Sequence, residues 1–341
     1  MHQTIVILGA TGYIGRYLLD SLVTIKDIRI KVLVRPKLQE RNSIQWPKNV
    51  EVSQGDLNDV DSLRNLLEPG CTVINLVYSS EADEQGNLAM MQNLLNACLS
   101  SGIARLIHCS TAVVSGRNSA DQITEASECR PITEYGITKL KIEQTILDAA
   151  KGHLEAVILR PTAVFGPGGK QLNKLSTDLV HGSLWRNYLK TCLFGQRRMN
   201  LVYIDNVVAA ILFLLRYAKP FKGSVFIVSD DAFPNNSFID VERFLIRSYG
   251  LPDYPLPQIS LPLVVLRLLL RALGKDNINP HCNYSQKKLE DIGFKRQTDF
   301  ETGVSNYAGW FLMQQTKSSG APAFFAKAEL GSVRFQQRKI S

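Results

Sequence analysis

Tyr135 and Lys139 are residues whose types and spacing could support chemistry, because they lie four positions apart in "EYGITKLKIEQ" (134–144). This stretch reads as a helix, and residues i and i+4 of a helix share one face. A neighbouring cation stabilises a phenolate, so Lys139 could lower the pKa of Tyr135 and let the phenol exchange a proton with a substrate. Many helices carry such a pair by chance, so the rest of the chain must decide.

A glycine-rich stretch near the start of the chain is a second chemical signal. "GATGYIG" places Gly9, Gly12 and Gly15 between the strand-like "TIVILGA" and the helix-like "YIGRYLLDSLV". Glycines there allow a tight turn and close approach of the backbone to a pyrophosphate, which the N–H groups of the following helix attract. The spacing is GxxGxxG rather than GxGxxG, but its place at the first strand–helix junction predicts a dinucleotide site.

The end of the second predicted strand indicates which dinucleotide binds. "VLVRP" carries Arg35 near the position where an acidic residue would hold the ribose 2′-hydroxyl of NAD. The planar guanidinium suits a 2′-phosphate, so the sequence favours NADP(H), with NAD(H) as the alternative. An Arg35 that only faces solvent would leave this preference open. Asp56 in "GDL", after the third strand, is placed to contact the adenine amino group.

The elements that must position these residues alternate between short apolar runs and amphipathic runs in the first half of the chain. Such alternation predicts an α/β fold with a Rossmann-type, doubly wound parallel sheet. We expect residues 1–169 to form the dinucleotide-binding domain, with 201–230 returning to it. Residues 170–200 and 231–315 would form a smaller, mostly C-terminal substrate-binding lobe. Residues 316–341 would be a basic, loosely ordered extension.

Composition narrows the function classes. The chain has 341 residues, 45% of them hydrophobic and 21% charged, as in ordinary globular proteins. Its six cysteines lack CxxC and His–Cys metal spacing, which predicts reduced thiols, a cytoplasmic protein and no metal site. Half of the net charge of +8 lies in 316–341, and no nucleic-acid module accompanies it, so we expect no nucleic-acid partner.

No apolar run is long enough to span a bilayer, but "LPLVVLRLLLRALGK" (261–275) requires separate analysis. Arg267, Arg271 and Lys275 form one basic stripe along an otherwise apolar helix. The interpretation we favour is a buried helix with one solvated edge. The alternative is a lid over an apolar substrate, or a peripheral contact with a membrane surface.

Beyond these local signals, the chain resembles the extended short-chain dehydrogenase/reductases, also called the NAD-dependent epimerase/dehydratase family, over roughly residues 4–314. Each motif is short, and their order and spacing together carry the resemblance. The motifs are "GATGYIG", "GDL", "STAVVSG", "EYGITK", "LRPTAVFGPGG", "LVYIDNVVAAI" and "KKLEDIGFKRQTDFETGVSNYAGWF".

The resemblance implies roles for individual residues. Tyr135 would be the general acid/base, Lys139 would hold the nicotinamide ribose and favour the tyrosinate, and Thr111 would hydrogen-bond the reacting oxygen. Ser110 is a neighbour that could substitute for Thr111, and Asn173 and Arg198 would contact the substrate. Relatives also suggest a homodimer. The implied cofactor contacts are Gly9, Thr11, Gly12, Tyr13, Ile14, Gly15, Arg35, Asp56, Leu57, Tyr135, Lys139, Pro161 and Val164.

Two departures from the family pattern bear on the substrate. The commonest arginine of nucleotide-sugar enzymes would align near Met199, so Arg197 and Arg198 are out of register. Sugar-nucleotide dehydratases follow the catalytic Thr with an Asp–Glu pair, and here Ala112 and Val113 stand in those places. Apolar side chains cannot supply the acid and base that eliminate water, so we do not expect a dehydratase.

The expected protein is therefore an enzyme, an NAD(P)-dependent oxidoreductase that moves hydride between nicotinamide and a carbinol or ketone. Its small-molecule substrate would be a sugar nucleotide or related sugar. Three alternatives stay open: a nucleotide-sugar 4-epimerase with retained NAD, a 3β-hydroxysteroid dehydrogenase-like enzyme, and a catalytically silent NADP-binding scaffold. The last would normally lose one of Thr111, Tyr135 and Lys139, and all three are present.

Overall fold

The structure is a computed structural model that describes residues 3–36, 45–152, 154–259, 261–273 and 279–319, without the side chains of Leu263, Ser318 and Ser319. Seven parallel strands form its central sheet, in the order β10-β7-β5-β4-β1-β2-β3. They are β1 (Gln3–Leu8), β2 (Ile28–Val34), β3 (Val50–Gln54), β4 (Thr72–Asn75), β5 (Arg105–Cys109), β7 (Ala156–Pro161) and β10 (Ser224–Val228).

Helices cover both faces of this sheet, which confirms the doubly wound Rossmann-type fold. One face packs against α1 (Tyr13–Leu22) and α7 (Ile204–Arg216). The other face packs against α2 (Val60–Leu66), α3 (Glu84–Ser101) and α4 (Glu134–Lys151). Because both faces are covered, the strands are almost continuously apolar, as in "TIVIL" and "AVIL".

The strand order reverses between β1 and β4, where successive crossovers run to opposite sides. The carboxyl ends of these two strands therefore open a crevice, and ligands of such sheets bind in that crevice. The glycine turn follows β1, and the segment 76–83 follows β4. This topology brings together elements that are some 70 positions apart in sequence.

The remaining elements lie mostly in the second half of the chain. Two short parallel pairs accompany the sheet: β6 (Gln122–Ile123) with β11 (Asn283–Tyr284), and β8 (Ala163–Phe165) with β9 (Leu201–Tyr203). The other helices are α5 (Asn173–His181), α6 (Leu184–Phe194), α8 (Phe238–Ser248), α9 (Leu263–Ala272), α10 (Lys287–Asp291) and α11 (Phe300–Ser319). No helix of the described residues is both long and apolar enough to cross a membrane.

Three details differ from the sequence-based expectations. The helix α11 continues through residues 316–319, and the rest of the expected extension, 320–341, lies outside the described residues. The apolar run "IARLIHCSTAVV" is not one continuous strand, since β5 ends at Cys109 and a 3₁₀ turn forms at Ala112–Ser115. The preferred interpretation of α9 as a buried helix is wrong, since Val264, Val265 and Leu268 are exposed. Lys275 lies outside the described residues.

A buried ion pair locks α4 onto the sheet. Arg160 in β7 donates through Nε and Nη2 to the carboxylate of Glu143, at 3.0 and 2.5 Å, and both side chains are almost fully buried. Breaking such a pair leaves one charge without its partner in a medium of low polarity. The pair therefore holds the helix that carries Tyr135 and Lys139 against the strands.

We expect Glu143→Ala to lower the free energy of unfolding by about 3–5 kcal/mol, because Arg160 would stay buried without a partner. Urea titration followed by circular dichroism measures this loss. Glu128→Ala removes an exposed carboxylate whose ion pair with Arg130 is open to water, so it should scarcely move the urea midpoint. Equal effects of the two substitutions would contradict the structural role of the buried pair.

Candidate active site

The glycine turn after β1 has the geometry of a phosphate cradle. Gly9 has φ +87°, a left-handed conformation that suits glycine, and its carbonyl accepts a hydrogen bond from Gly12 N at 3.0 Å. A Cβ on Gly15 would collide with the carbonyl of Gly9 and with the Ala10 backbone. Gly9 and Gly15 are therefore required for this turn to pack closely beneath the start of α1.

The start of α1 completes a site that fits a dinucleotide. Gly12 is the N-cap and contributes no side-chain hydrogen bond, and the first turn carries no acidic residue. Unpaired N–H groups and the positive end of the helix dipole therefore face the turn without a competing carboxylate. Gly9, Thr11, Gly12, Ile14 and Gly15 all lie in this turn or in the first turn of α1, beside the crevice between β1 and β4.

The side chain of Tyr13 does not fit the cofactor contact predicted for it. Its hydroxyl is buried, without a hydrogen-bond partner among the described residues, and lies against Gly166 and Gly169. Its ring packs edge-on against Tyr17, whose hydroxyl donates to Pro167 O at 2.7 Å. The ring of Tyr13 therefore supports the 166–169 loop, and any contact of Tyr13 with a dinucleotide would involve its backbone.

The ends of β2 and β3 carry the residues predicted to bind the adenosine half. Arg35 follows β2 and is exposed, with Nη1 3.9 Å from Glu81 Oε2 in the segment after β4. Asp56 follows β3, and its Oδ1 accepts two hydrogen bonds from Asn58, each 2.9 Å long. Leu57 lines a small cavity together with residues of β4, α3 and α4. All three residues lie at the same edge of the sheet as the glycine turn.

Asn87, in the first turn of α3, shapes the segment after β4. Its amide nitrogen donates to the carbonyls of Ser79, Ala82 and Asp83, and its Oδ1 accepts from Ser79 N at 3.0 Å. Four hydrogen bonds from one buried side chain fix this loop along the crevice. Asn87 therefore acts on the site through the backbone it organises.

The predicted catalytic residues meet at the ends of β5 and α4. Thr111 caps the 3₁₀ turn, accepting from Val113 N at 3.2 Å, and its side chain also hydrogen-bonds Tyr135. Lys139 is buried and donates to Cys109 O at 3.0 Å. Tyr135 is 38% exposed, so a substrate oxygen can reach it from the crevice. The geometry thus groups a phenol, a hydroxyl and an ammonium at one strand end.

The expectation that Lys139 lowers the pKa of Tyr135 is wrong in this structure. Burial raises the pKa of Tyr135 to about 12, and the hydrogen bond from Thr111 opposes this rise only in part. The ammonium of Lys139 is directed at the carbonyl of Cys109 instead, and burial lowers its own pKa. Tyr135 consequently holds its proton at neutral pH and is a proton donor in this state.

Tyr78 is a site residue that the sequence motifs missed. Its ring lies edge-on to the ring of Tyr135, with centroids 4.8 Å apart, and the Lys139 ammonium is 5.4 Å from its centroid. The aromatic ring therefore contacts both members of the Tyr–Lys pair, and part of the positive field of Lys139 falls on it. The only sequence signal was an aromatic residue just after β4, at the edge where ligands bind.

Two buried hydroxyls at neighbouring strand ends also face the crevice region. The Oγ of Ser110, after β5, and the Oγ1 of Thr162, after β7, have no hydrogen-bond partner among the described residues. Buried polar atoms normally have partners, and those left without one suggest a ligand. Pro161 and Val164, two of the predicted cofactor contacts, flank Thr162, so this segment lies beside Ser110 and Thr111 at the end of the neighbouring strand.

Comparison with known proteins supports this arrangement. The model of the NAD dependent epimerase/dehydratase family matches residues 5–228, about two-thirds of the chain. The chain belongs to the NAD dependent epimerase/dehydratase family. This confirms the predicted family, whose members are enzymes.

Individual relatives are distant but match over almost their whole length. A UDP-glucose 4-epimerase of Vibrio cholerae is 26% identical over 346 residues, covering 93% of this chain and 98% of the relative. A UDP-glucuronic acid 4-epimerase from Bacillus cereus, solved with NAD, has a TM-score of 0.66 at 19% identity, covering 92% and 99%. A dTDP-glucose 4,6-dehydratase from Bacillus anthracis, also with NAD, has 0.67 at 16%, covering 92% and 97%. The two structures show a shared fold.

Asn173, which the family resemblance predicted to contact the substrate, starts α5 and accepts a hydrogen bond from Tyr307 OH at 3.0 Å. Arg198 does not point its guanidinium at a ligand, because it donates to the carbonyls of Asp231, Phe233 and Pro234. The predicted substrate contact of Arg198 is therefore corrected: this side chain anchors the 231–234 loop. Arg197 has no carboxylate partner among the described residues, and burial lowers its pKa.

The ionisation of Tyr135 can be measured directly. In protein without added cofactor, the near-ultraviolet difference between wild type and Tyr135→Phe reports the tyrosinate at this position. At pH about 10, where an ordinary tyrosine is half ionised, we expect little tyrosinate signal, because the pKa is raised to about 12. A blocked tyrosine amide in the same buffer is the control. A tyrosinate signal at pH about 8 would restore the original Lys139 hypothesis.

Proposed function

We propose that the protein catalyses oxidation–reduction at a carbinol carbon of a nucleotide sugar, with Tyr135 as the group that gives or takes the proton. The observation that supports this most directly is the grouping of Thr111, Tyr135 and Lys139 at the crevice that the glycine turn borders. A bound nicotinamide dinucleotide would supply or accept the hydride. The glycine turn, the start of α1 and the 161–164 segment are the parts that would hold it.

The roles of the chain's own residues follow from the contacts. Tyr135, protonated at neutral pH, can donate to a substrate carbonyl oxygen, and the Thr111 hydroxyl lies beside it to orient that oxygen. The ammonium of Lys139 is close to Tyr135, but it donates a hydrogen bond to Cys109 O, which holds its position. In the oxidative direction Tyr135 must first lose its proton, which the raised pKa opposes. A raised pKa also makes the phenol a weaker acid, so it describes the resting protonation state of Tyr135 and does not select a reaction direction.

A 4-epimerase is the second candidate, and the curated relatives favour it, since two UDP-glucose 4-epimerases match. An epimerase would use the same proton and hydride steps in both directions on a retained cofactor. A dehydratase finds no support, because Ala112 and Val113 follow Thr111 and neither can transfer a proton. We also propose the homodimer and the cytoplasmic location that were expected from the sequence. All six cysteines are free thiols, which is consistent with the proposed location.

Replacement of Tyr135 tests the proposed proton transfer. Tyr135→Phe should lower kcat about 100-fold or more while leaving KM nearly unchanged, because the ring stays and only the acid/base is lost. UDP-glucose and UDP-galactose are the first substrates to assay. Interconversion with no net cofactor change indicates an epimerase, whereas steady consumption of NADPH indicates a reductase. Tyr217→Phe, whose ring packs against Phe213 and Phe221, is the matched control. Full turnover by the Tyr135 variant would refute the mechanism.

We further propose that the site prefers NADP(H), and this rests on Arg35. The guanidinium is exposed at the end of β2 beside the adenosine side of the crevice, and no acidic residue follows it in the described part of this strand end. Glu81, 3.9 Å away, is its charged neighbour, and a 2′-phosphate would compete with that carboxylate. Charge-assisted, bidentate contacts of this kind favour phosphate over hydroxyl.

Arg35→Gln should weaken NADPH binding about tenfold or more and leave NADH binding unchanged, since only the 2′-phosphate loses a charged partner. Titration calorimetry with each dinucleotide measures both affinities. Arg29→Gln is the control on the same strand, because Arg29 pairs with Glu51 at the opposite end of β2. If wild type binds NADH more tightly than NADPH, the preference for NADP(H) is wrong.

A further inference from the structure

The helix α6 buries polar residues and exposes apolar ones. Asn187 and Thr191 face inward and are buried, whereas Trp185 and Leu189, on the opposite side of the helix, are 56% and 58% exposed. Most of their polar atoms have local partners, since Asn187 donates to Asp178 O and Thr191 donates to Glu242; Asn187 Oδ1 has none among the described residues. The outward apolar face is therefore not explained by the packing of the lobe.

The helix α9 also exposes large apolar side chains. Leu266 and Leu270 are buried, and the outward positions Val264 and Leu268 are 70% and 64% exposed. Successive apolar residues at i and i+4 thus form a stripe that faces away from the described part of the protein. A soluble surface rarely carries several large exposed apolar side chains so close together unless they bind something.

Hydrogen bonds connect α6 with the segment that precedes α9. Leu261 N donates to Cys192 O at 2.9 Å, near the end of α6, and Tyr188 OH donates to Pro257 O at 3.0 Å. The connecting segment adds Leu256 and Ile259, and Ile259 is 77% exposed. We call this set the apolar surface; its members are Trp185, Leu189, Leu256, Ile259, Val264 and Leu268.

The charges around the apolar surface are one-sided. The sequence contains no Asp or Glu in 179–204 or in 254–275, although Asp253 directly precedes the second stretch. The basic residues of these stretches include Arg186, Lys190, Arg267 and Arg271. Asp178 pairs with both Arg186 and Lys190, and Asp121 lies 3.9 Å from Arg267, so the border keeps a positive excess. If two copies of the chain paired through this surface, the basic residues of one copy would meet those of the other. Neither of the two stretches would supply a carboxylate to separate these charges.

We propose that the apolar surface docks the protein onto the face of an anionic phospholipid bilayer. Apolar side chains flanked by arginines, with a tryptophan among them, are what the headgroup region of such a membrane accommodates. Trp185, Leu189 and Leu268 enter the boundary between headgroups and acyl chains, while Arg186 and Arg271 meet lipid phosphates. This contact is peripheral, and it is independent of the chemistry proposed for Tyr135.

Vesicle binding tests the proposal. The full chain is mixed with phosphatidylcholine vesicles that contain or lack phosphatidylglycerol. Binding is followed by co-sedimentation and by tryptophan fluorescence, to which Trp46 and Trp310 contribute as well as Trp185. We expect binding to the anionic vesicles, weakened about tenfold or more by Leu189→Glu and by Leu268→Glu. Arg271→Gln should reduce the dependence on phosphatidylglycerol. Tyr135→Phe should bind like wild type, which separates this test from the proposed function.

The matched control is Leu99→Glu. Leu99 is also an exposed leucine on a helix, but it lies beside Gly102, at the amino ends of β4 and β5. Its replacement should leave vesicle binding unchanged. No binding to either vesicle, or equal binding of wild type and both glutamate variants, would overturn the proposal. A third outcome would also overturn it: the protein does not bind lipid but self-associates, and sedimentation shows that both glutamate variants abolish this self-association. The apolar surface would then be an interface between two copies of the chain.

Discussion

The site depends on the way polar residues of α4 are buried against the sheet. Lys139 reaches Cys109 O at the end of β5, and one turn further along α4, Glu143 pairs with Arg160 in β7. Both contacts are buried, so neither group can exchange its partner for water without a large loss of free energy. These two contacts fix the position and rotation of α4 over the sheet. Tyr135 lies one turn before Lys139, so the same contacts place it at the crevice.

The same burial decides the acid–base state of the site. A charge near a phenol lowers its pKa only if the field reaches the phenol more strongly than desolvation disfavours the phenolate. Here the Lys139 ammonium is committed to a carbonyl and lies beside the ring of Tyr78, while Tyr135 is partly enclosed by Cys109, Thr111 and Tyr78. Desolvation is the larger effect. The spacing of Tyr135 and Lys139 in a helix therefore predicted that the two residues lie close together. It did not predict the direction in which the pKa of Tyr135 shifts.

Much of the fold and part of the site could be predicted from the sequence because local chemistry specified them. Gly9 and Gly15 are required by a left-handed turn and a close backbone approach, so the glycine pattern alone located the turn. Arg198 was misassigned because the carbonyls that it contacts, in 231–234, are distant in sequence. The packing of the Tyr13 ring against Gly166 and Gly169 could not be predicted for the same reason. Tyr78 belongs to no motif, and only the juxtaposition of β4 and α4 brings it to Tyr135.

The helices α6 and α9 show a further limit of pattern analysis. Periodicity of apolar residues predicts that a helix has two unlike faces, but it does not state which face the protein buries. In α6 the answer depends on Glu242, a buried carboxylate that accepts hydrogen bonds from Thr191 and Tyr254. A buried carboxylate needs such donors. The polar face of α6 therefore turns inward, and its apolar face is left exposed at the protein surface.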